Sequence, residues 1–167
     1  MPEPTSVELL YGKYAHANPV ACVEDVSFEL AGRLAGNFQH SIWQLVSHLN
    51  YWMDYELKRI RGQTPIYPAH SADSWPAHPA PPNDDEWKKS ISQFKEFLAK
   101  LAALAESTPD VLARDVPATH PDHVKHSSTL QAVLWQTLVH NSYHVGQIAM
   151  LRRALGAWPP SAGGDTW

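Results

Sequence analysis

Cysteine occurs once, as Cys22, in a chain of 167 residues. No intrachain disulfide can form, a metal site made of thiolates alone is excluded, and a reducing compartment is favoured. Positive charge is also in short supply: 13 Lys plus Arg stand against 17 Asp plus Glu, a net charge of -4. Without a basic stripe to track phosphates, nucleic acid is a poor partner. Nowhere do eighteen apolar residues follow one another, and the start MPEPTSVELL has no basic stretch leading into an apolar run. Neither a membrane span nor a secretory leader is indicated, and the expected location is cytoplasmic. Phosphate loops and a Gly-x-Ser-x-Gly elbow are missing as well. Cys22 has no helical histidine close in sequence, so nucleophilic catalysis by a side chain has little support.

What remains is an ordinary globular composition, 44% apolar and 10% aromatic with seven tryptophans. The length suits one domain spanning 1–167. From Ser41 to Arg61, residues Ile42, Leu45, Val46, Leu49, Trp52, Met53, Leu57 and Ile60 recur at spacings of three and four, which predicts an amphipathic helix with Ser41 as N-cap and Gly62 as stop. A second helix is predicted from Asp84 to about Glu106, with Trp87, Ile91, Phe94, Leu98, Leu101 and Ala105 on one face and Asn83 and Glu86 in capping-box spacing. A third runs from Ser127 or Ser128 to about Leu155, with Arg152 and Arg153 suited to its C-terminal dipole and Gly156 as terminator. Apolar around most of its circumference, it is expected to lie centrally.

The N-terminal part is less regular. Val7, Leu10, Tyr11 and Tyr14 suggest a short helix, Asn18 and Pro19 look like an N-cap and first helical position, and Phe28, Leu30, Ala31 and Leu34 either continue that helix or form a separate turn. Prolines gather between Thr64 and Pro82, which predicts a long loop between the helix ending near Arg61 and the one starting at Asp84, the second and third of the bundle once the irregular N-terminal helix is counted. No alternating strand pattern is visible, so the expected fold is all-α, a four-helix bundle.

Ten histidines are the unusual excess. His140 and His144 are four apart, so both project from one face of the last helix, one turn from each other. That face continues as Val133, Thr137, His140, His144, Gln147 and Leu151, a core-type seam with polar groups in its middle that need partners. His48 lies between Leu45 and Trp52 on a similar seam and is the natural third ligand. A histidine pair at this spacing is common as packing or surface decoration; a third on another buried seam strengthens the metal reading. Three neutral imidazoles leave a fourth position open, as catalytic sites do, and zinc, nickel and iron all accept such a set. No carboxylate is visible on either histidine seam, so the reactive species would be a thiol or water activated by the ion. Gln147 and Gln44 are candidates for orienting the ligands, or else ordinary buried amides. Tyr51, Trp52 and Tyr143 either line a pocket or belong to the core. The spaced set His120, His123 and His126 beside Pro121 reads as a solvated connector, and His16, His40, His70 and His78 have no motif around them. The Pro-rich segment with Trp75 and the tail GAWPPSAGGDTW either cover the site or pack on the surface.

The runs HSIWQLVSHLNYWMDYELKRIRG and HNSYHVGQIAMLRRALG, with the ending GAWPP, resemble the DinB/YfiT-like superfamily of metal-dependent enzymes. The resemblance implies a four-helix bundle in which a second-helix histidine and an H-x3-H pair of the fourth helix hold a nickel- or zinc-like ion, here His48, His140 and His144. It also implies a small-molecule substrate and, in many members, a homodimer. Relatives include thiol S-transferases and thiol-dependent isomerases using a low-molecular-weight thiol, and others described as hydrolases. Some thiol-dependent relatives carry glutamate at one ligand position, which this chain does not. The expected function is thus a metal-dependent S-transferase or hydrolase, with a non-catalytic metal-binding protein or a metal-free helical interaction module as the alternatives.

Overall fold

The computed structural model describes residues 3–120 and 127–164. In chain order the helices are α1 (Ser6–Leu10), α2 (Ala21–Glu24), α3 (Phe28–Ala31), α4 (Ile42–Ile60), α5 (Asp84–Ala105), α6 (Pro109–Leu112) and α7 (Leu130–Ala154). Two short strands, β1 (Asp115–Pro117) and β2 (Ser127–Thr129), lie between α6 and α7. The fold is an all-α bundle in which three long helices, α4, α5 and α7, pack on one another, and α1 to α3 take the place of a fourth long helix.

Local chemistry sets these boundaries. Ser41 caps α4 by accepting from the Gln44 N–H while the Gln44 side chain accepts from the Ser41 N–H, and Gly62 leaves the helix at φ +78°. Asn83 caps α5 by accepting from the Glu86 N–H at 2.9 Å. The expected cap at Asn18 works differently: its Oδ1 accepts from the N–H of Val20 and Ala21, so Pro19 lies in the turn and α2 begins only at Ala21. The N-terminal segment is therefore broken into pieces, with α3 a separate turn capped by Ser27.

The core joins Leu45, Leu49 and Met53 of α4, Phe94, Leu98 and Leu101 of α5, and Leu130, Ile148 and Leu151 of α7, all essentially inaccessible. Each such side chain contributes roughly 1.5–3 kcal/mol on burial. The Trp87 indole of α5 donates to the Val26 carbonyl at 2.7 Å, fastening the short helices to the long ones.

Three expectations are corrected. A two-stranded antiparallel ladder exists, with Val116 opposite Ser128; at three residues per strand no alternation can show in the sequence. Because Ser127 and Ser128 are extended in β2, α7 starts at Leu130 with Thr129 as its cap. Nor is α7 enclosed: it packs on α4, α5, α1, α2 and α6, but Trp135, Val139, Tyr143 and Met150 are more than half exposed. Helices of only four or five residues are too short to wrap its outer side.

The segment 61–83 is more than a connector. It folds over the first half of α4, includes a 3-10 turn at Ser71–Ser74, and is held by bonds from the Gln44 Nε2 to the Pro76 carbonyl (2.8 Å) and from the Ser41 Oγ to the Pro79 carbonyl (2.5 Å). The same two residues that cap α4 therefore clamp the loop above it.

Candidate metal centre

His48 is presented by the middle of α4, and His140 and His144 by successive turns of one face of α7. The packing of these helices brings the three imidazoles together, with one ring nitrogen from each within 4.8 Å of the others. The Nε2 atoms of His48 and His144 lie 3.2 Å and 3.1 Å from the Nε2 of His140. His48 and His144 are buried and His140 is half-buried.

Hydrogen bonds on the far side of two rings decide where their protons sit. The Ser74 Oγ donates to the Ser71 carbonyl at 2.9 Å, so toward His48 it is an acceptor, and the His48 Nδ1–H donates to it across 3.1 Å. The Gln147 Oε1 can only accept, so the His144 Nδ1–H donates to it at 2.7 Å. Both rings must then aim an unprotonated Nε2 lone pair at His140, whose single Nε2–H, at best, cannot satisfy both well. A cation removes the conflict. A four-coordinate ion about 2.05 Å from each nitrogen would space nitrogen pairs by about 3.3 Å, close to the two separations found.

Electrostatics point the same way. Burial, reinforced by repulsion from His144 and His140, pushes the His48 imidazole down to about 3. Burial and His144 lower His140 to about 4. His144 is lowered by burial, offset in part by its bond to Gln147. All three rings are neutral near pH 7, the protonation state a metal ligand needs.

Above the cluster, Trp75 stacks face to face on His48 (ring centroids 3.8 Å apart, planes at 11°) and on its other side against His40 (3.9 Å, 11°). The Pro-rich segment thus roofs the site, and His40, which has no motif in the sequence, fixes the roof from outside. The tail lies elsewhere: Trp158 packs under Arg153 and Ser161 binds Asp25, while 165–167 lie outside the described residues. Of the two readings open for each amide, Gln147 contacts the His144 ring, whereas Gln44 holds the loop.

One side of the cluster is open. A cavity of about 820 Å³ is lined at one end by His48, His140, Ser74 and Trp75, and further out by Trp52, Tyr55, Glu56, Arg59 and Tyr67. A carboxylate therefore does occupy the stripe of α4 that carries His48. Glu56 lies eight residues on, and sequence reasoning missed it because a Glu and an Arg near a helix end read as a solvated face. Tyr51 and Tyr143 do not line this cavity, whereas Trp52 does. Of the other spaced histidines, His120 lines the outer cavity, while His123 and His126 lie outside the described residues. His16 is bonded to Ser142 and the Ala17 carbonyl, and His70 caps the 3-10 turn. Cys22 is fully buried with its thiol pushed up to about 11 by burial, an inert core residue. No helix is long and apolar enough to cross a membrane among the described residues.

Residues 16–148 match the sequence profile of the DinB superfamily. No curated protein and no solved structure matches the chain.

Proposed function

The chain belongs to the DinB superfamily, and on that premise we propose that it is a metal-dependent enzyme in which His48, His140 and His144 hold one divalent ion, nickel or zinc before iron, that activates a small thiol or water. The observation that carries this reading is the pair of bare Nε2 lone pairs turned toward a third imidazole at the closed end of a cavity. A bound divalent ion supplies one thing, a lowered pKa for a thiol or water, and so a nucleophile near neutral pH.

The protein's own groups do the rest. Ser74 and Gln147 hold two imidazoles in the tautomer that leaves Nε2 free. Trp75 closes the site from above and keeps water off one face of His48. The open side admits a small organic molecule, and about 820 Å³ is the size of a pocket that encloses one. Thiol transfer and hydrolysis differ only in which nucleophile the cavity admits.

The test is elemental analysis of the untagged protein beside His48→Ala, His140→Ala and His144→Ala, followed by screening for thiol transfer and hydrolysis. About one ion per chain, lost in each variant, is the expected outcome. A parent that takes up neither zinc nor nickel sinks the enzyme reading and leaves a helical interaction module.

A further inference from the structure

The cavity is long in one direction. His48, Trp52, Tyr55, Glu56 and Arg59 follow one stripe of α4 beneath it. The eleven-residue step from His48 to Arg59 corresponds to about 16 Å along the helix axis. Between the ends, the rings of Trp52, Tyr55 and Tyr67 pack on one another with centroids 5.3, 5.7 and 6.0 Å apart. At those separations nothing fits between them, so they form a continuous aromatic wall and not a cage.

The far end is polar. Arg59 is the one Lys or Arg among the described residues lining the cavity, and its side chain is only 10% exposed. Its Nη1 donates to the Glu56 carboxylate at 2.7 Å and its Nε to the Pro117 carbonyl at 3.1 Å, which fixes the guanidinium plane. Nη2 has no partner among the described residues, which leaves two N–H donors for a ligand. Beside it, the Tyr55 hydroxyl is bonded to Thr119. A guanidinium held on two sides and open on the third is pre-organised for an oxyanion.

We infer that this end of the cavity is a carboxylate subsite: the molecule taken up is elongated, with an apolar body along the Trp52–Tyr55–Tyr67 wall and a carboxylate on Arg59. Its metal-seeking head rests on the function proposed above; the carboxylate end does not. Glu56 offsets part of the positive charge, so the selectivity is moderate, about tenfold and not a thousandfold. Arg59 is a specificity-determining residue, remote from the reacting atoms.

Calorimetric titration with 11-mercaptoundecanoic acid and 11-mercaptoundecanol tests it on the zinc-loaded protein. The acid binds about tenfold more tightly than the alcohol; Arg59→Gln abolishes the preference and Arg59→Lys keeps part of it. Binding of 3-mercaptopropionic acid, too short to span the cavity, is unchanged by Arg59→Gln. Equal binding of the long acid and alcohol, or a preference that survives Arg59→Gln in a variant with parental circular dichroism, overturns the proposal. If Arg59→Gln does not fold, the parent's acid-to-alcohol ratio and its change in Arg59→Lys decide. Undecanoic acid against undecanol repeats the comparison without a thiol. A preference there with no zinc uptake rejects the metal reading and keeps the subsite; zinc uptake with no preference does the reverse.

Discussion

Arg152 and His144 sit eight residues apart on α7, about 12 Å along its axis, and both are buried, yet their surroundings differ in kind. Arg152 donates through Nε to the Ala157 carbonyl (2.8 Å) and through Nη1 to the Cys22 carbonyl (3.0 Å) and the Asp25 carboxylate (2.6 Å). The other oxygen of Asp25 accepts from the Ser161 N–H at 2.7 Å. Burial raises the Asp25 carboxyl, but the bonds from Arg152 and Ser161 outweigh it and hold it below the ordinary range. The charges answer each other, and the result pins the tail to α2. At the histidines, by contrast, the outer nitrogens of His48 and His144 are satisfied and the inner ones confront one another. A buried charge answered by a counter-charge and backbone carbonyls holds a fold together; imidazoles whose bare nitrogens converge on a point and open to a cavity are suited to a ligand.

Exchanging disturbances between the two centres tests that distinction. The largest effect is expected from Arg152→Ala, which removes charge-assisted bonds to the Asp25 carboxylate and to the Cys22 and Ala157 carbonyls: about 3 kcal/mol of stability, read by denaturant unfolding, equal with and without zinc, and with metal content unchanged. His140→Ala should reverse the pattern. In the parent, zinc at a hundredfold excess over Kd adds about 2.7 kcal/mol; in the variant zinc adds nothing, while the metal-free protein keeps its melting temperature or gains.

Acid separates the two centres next. For His48 and His140 the folded protein binds protons less readily than the unfolded chain, whose histidines titrate near 6.5. Their contribution is intact above about 6.5 and is lost as pH falls toward 4 and then 3. The lowered Asp25 contributes only a later loss, below its ordinary value of 3.8. Metal-free protein should therefore weaken between pH 6.5 and 5, and His48→Gln should flatten that slope in thermal melts; a slope unchanged by the variant would mean that other groups set it. The smallest effect is Gln147→Leu, which frees the His144 ring without removing a ligand. Zinc affinity should drop ten- to a hundredfold, about 1.4–2.7 kcal/mol, in competition titrations, with the fold unaltered.

Much of this was legible in advance, for identifiable reasons. Helices α4 and α5 announce themselves because Leu45, Leu49, Met53 and Trp87, Phe94, Leu98 keep the helical period and Ser41 and Asn83 stand at the caps. The three histidines stand out because each interrupts an apolar seam. Arg152 stands in the last turn of α7 as expected, but that position carries no sign of burial, which only the docking of α2 produces. Trp75 was in view only as part of a segment that either covered the site or packed on the surface, and Ser74 could not be found, since a loop carries no period and its contact with His48 spans 26 residues. Glu56 and Arg59 were within reach, at eight and eleven residues from His48, had the stripe of α4 been followed past its apolar part.

The layered arrangement of His40, Trp75 and His48 has an optical consequence. An indole 3.8 Å from the His48 ring would report on an ion held there. Nickel, with its open d shell, should quench the Trp75 emission, whereas closed-shell zinc should leave it bright. Subtracting the emission of Trp75→Phe isolates that signal from the other six tryptophans. With the proposed ion bound, the roof of the site would double as a built-in lamp, telling one ion from another in real time without a dye.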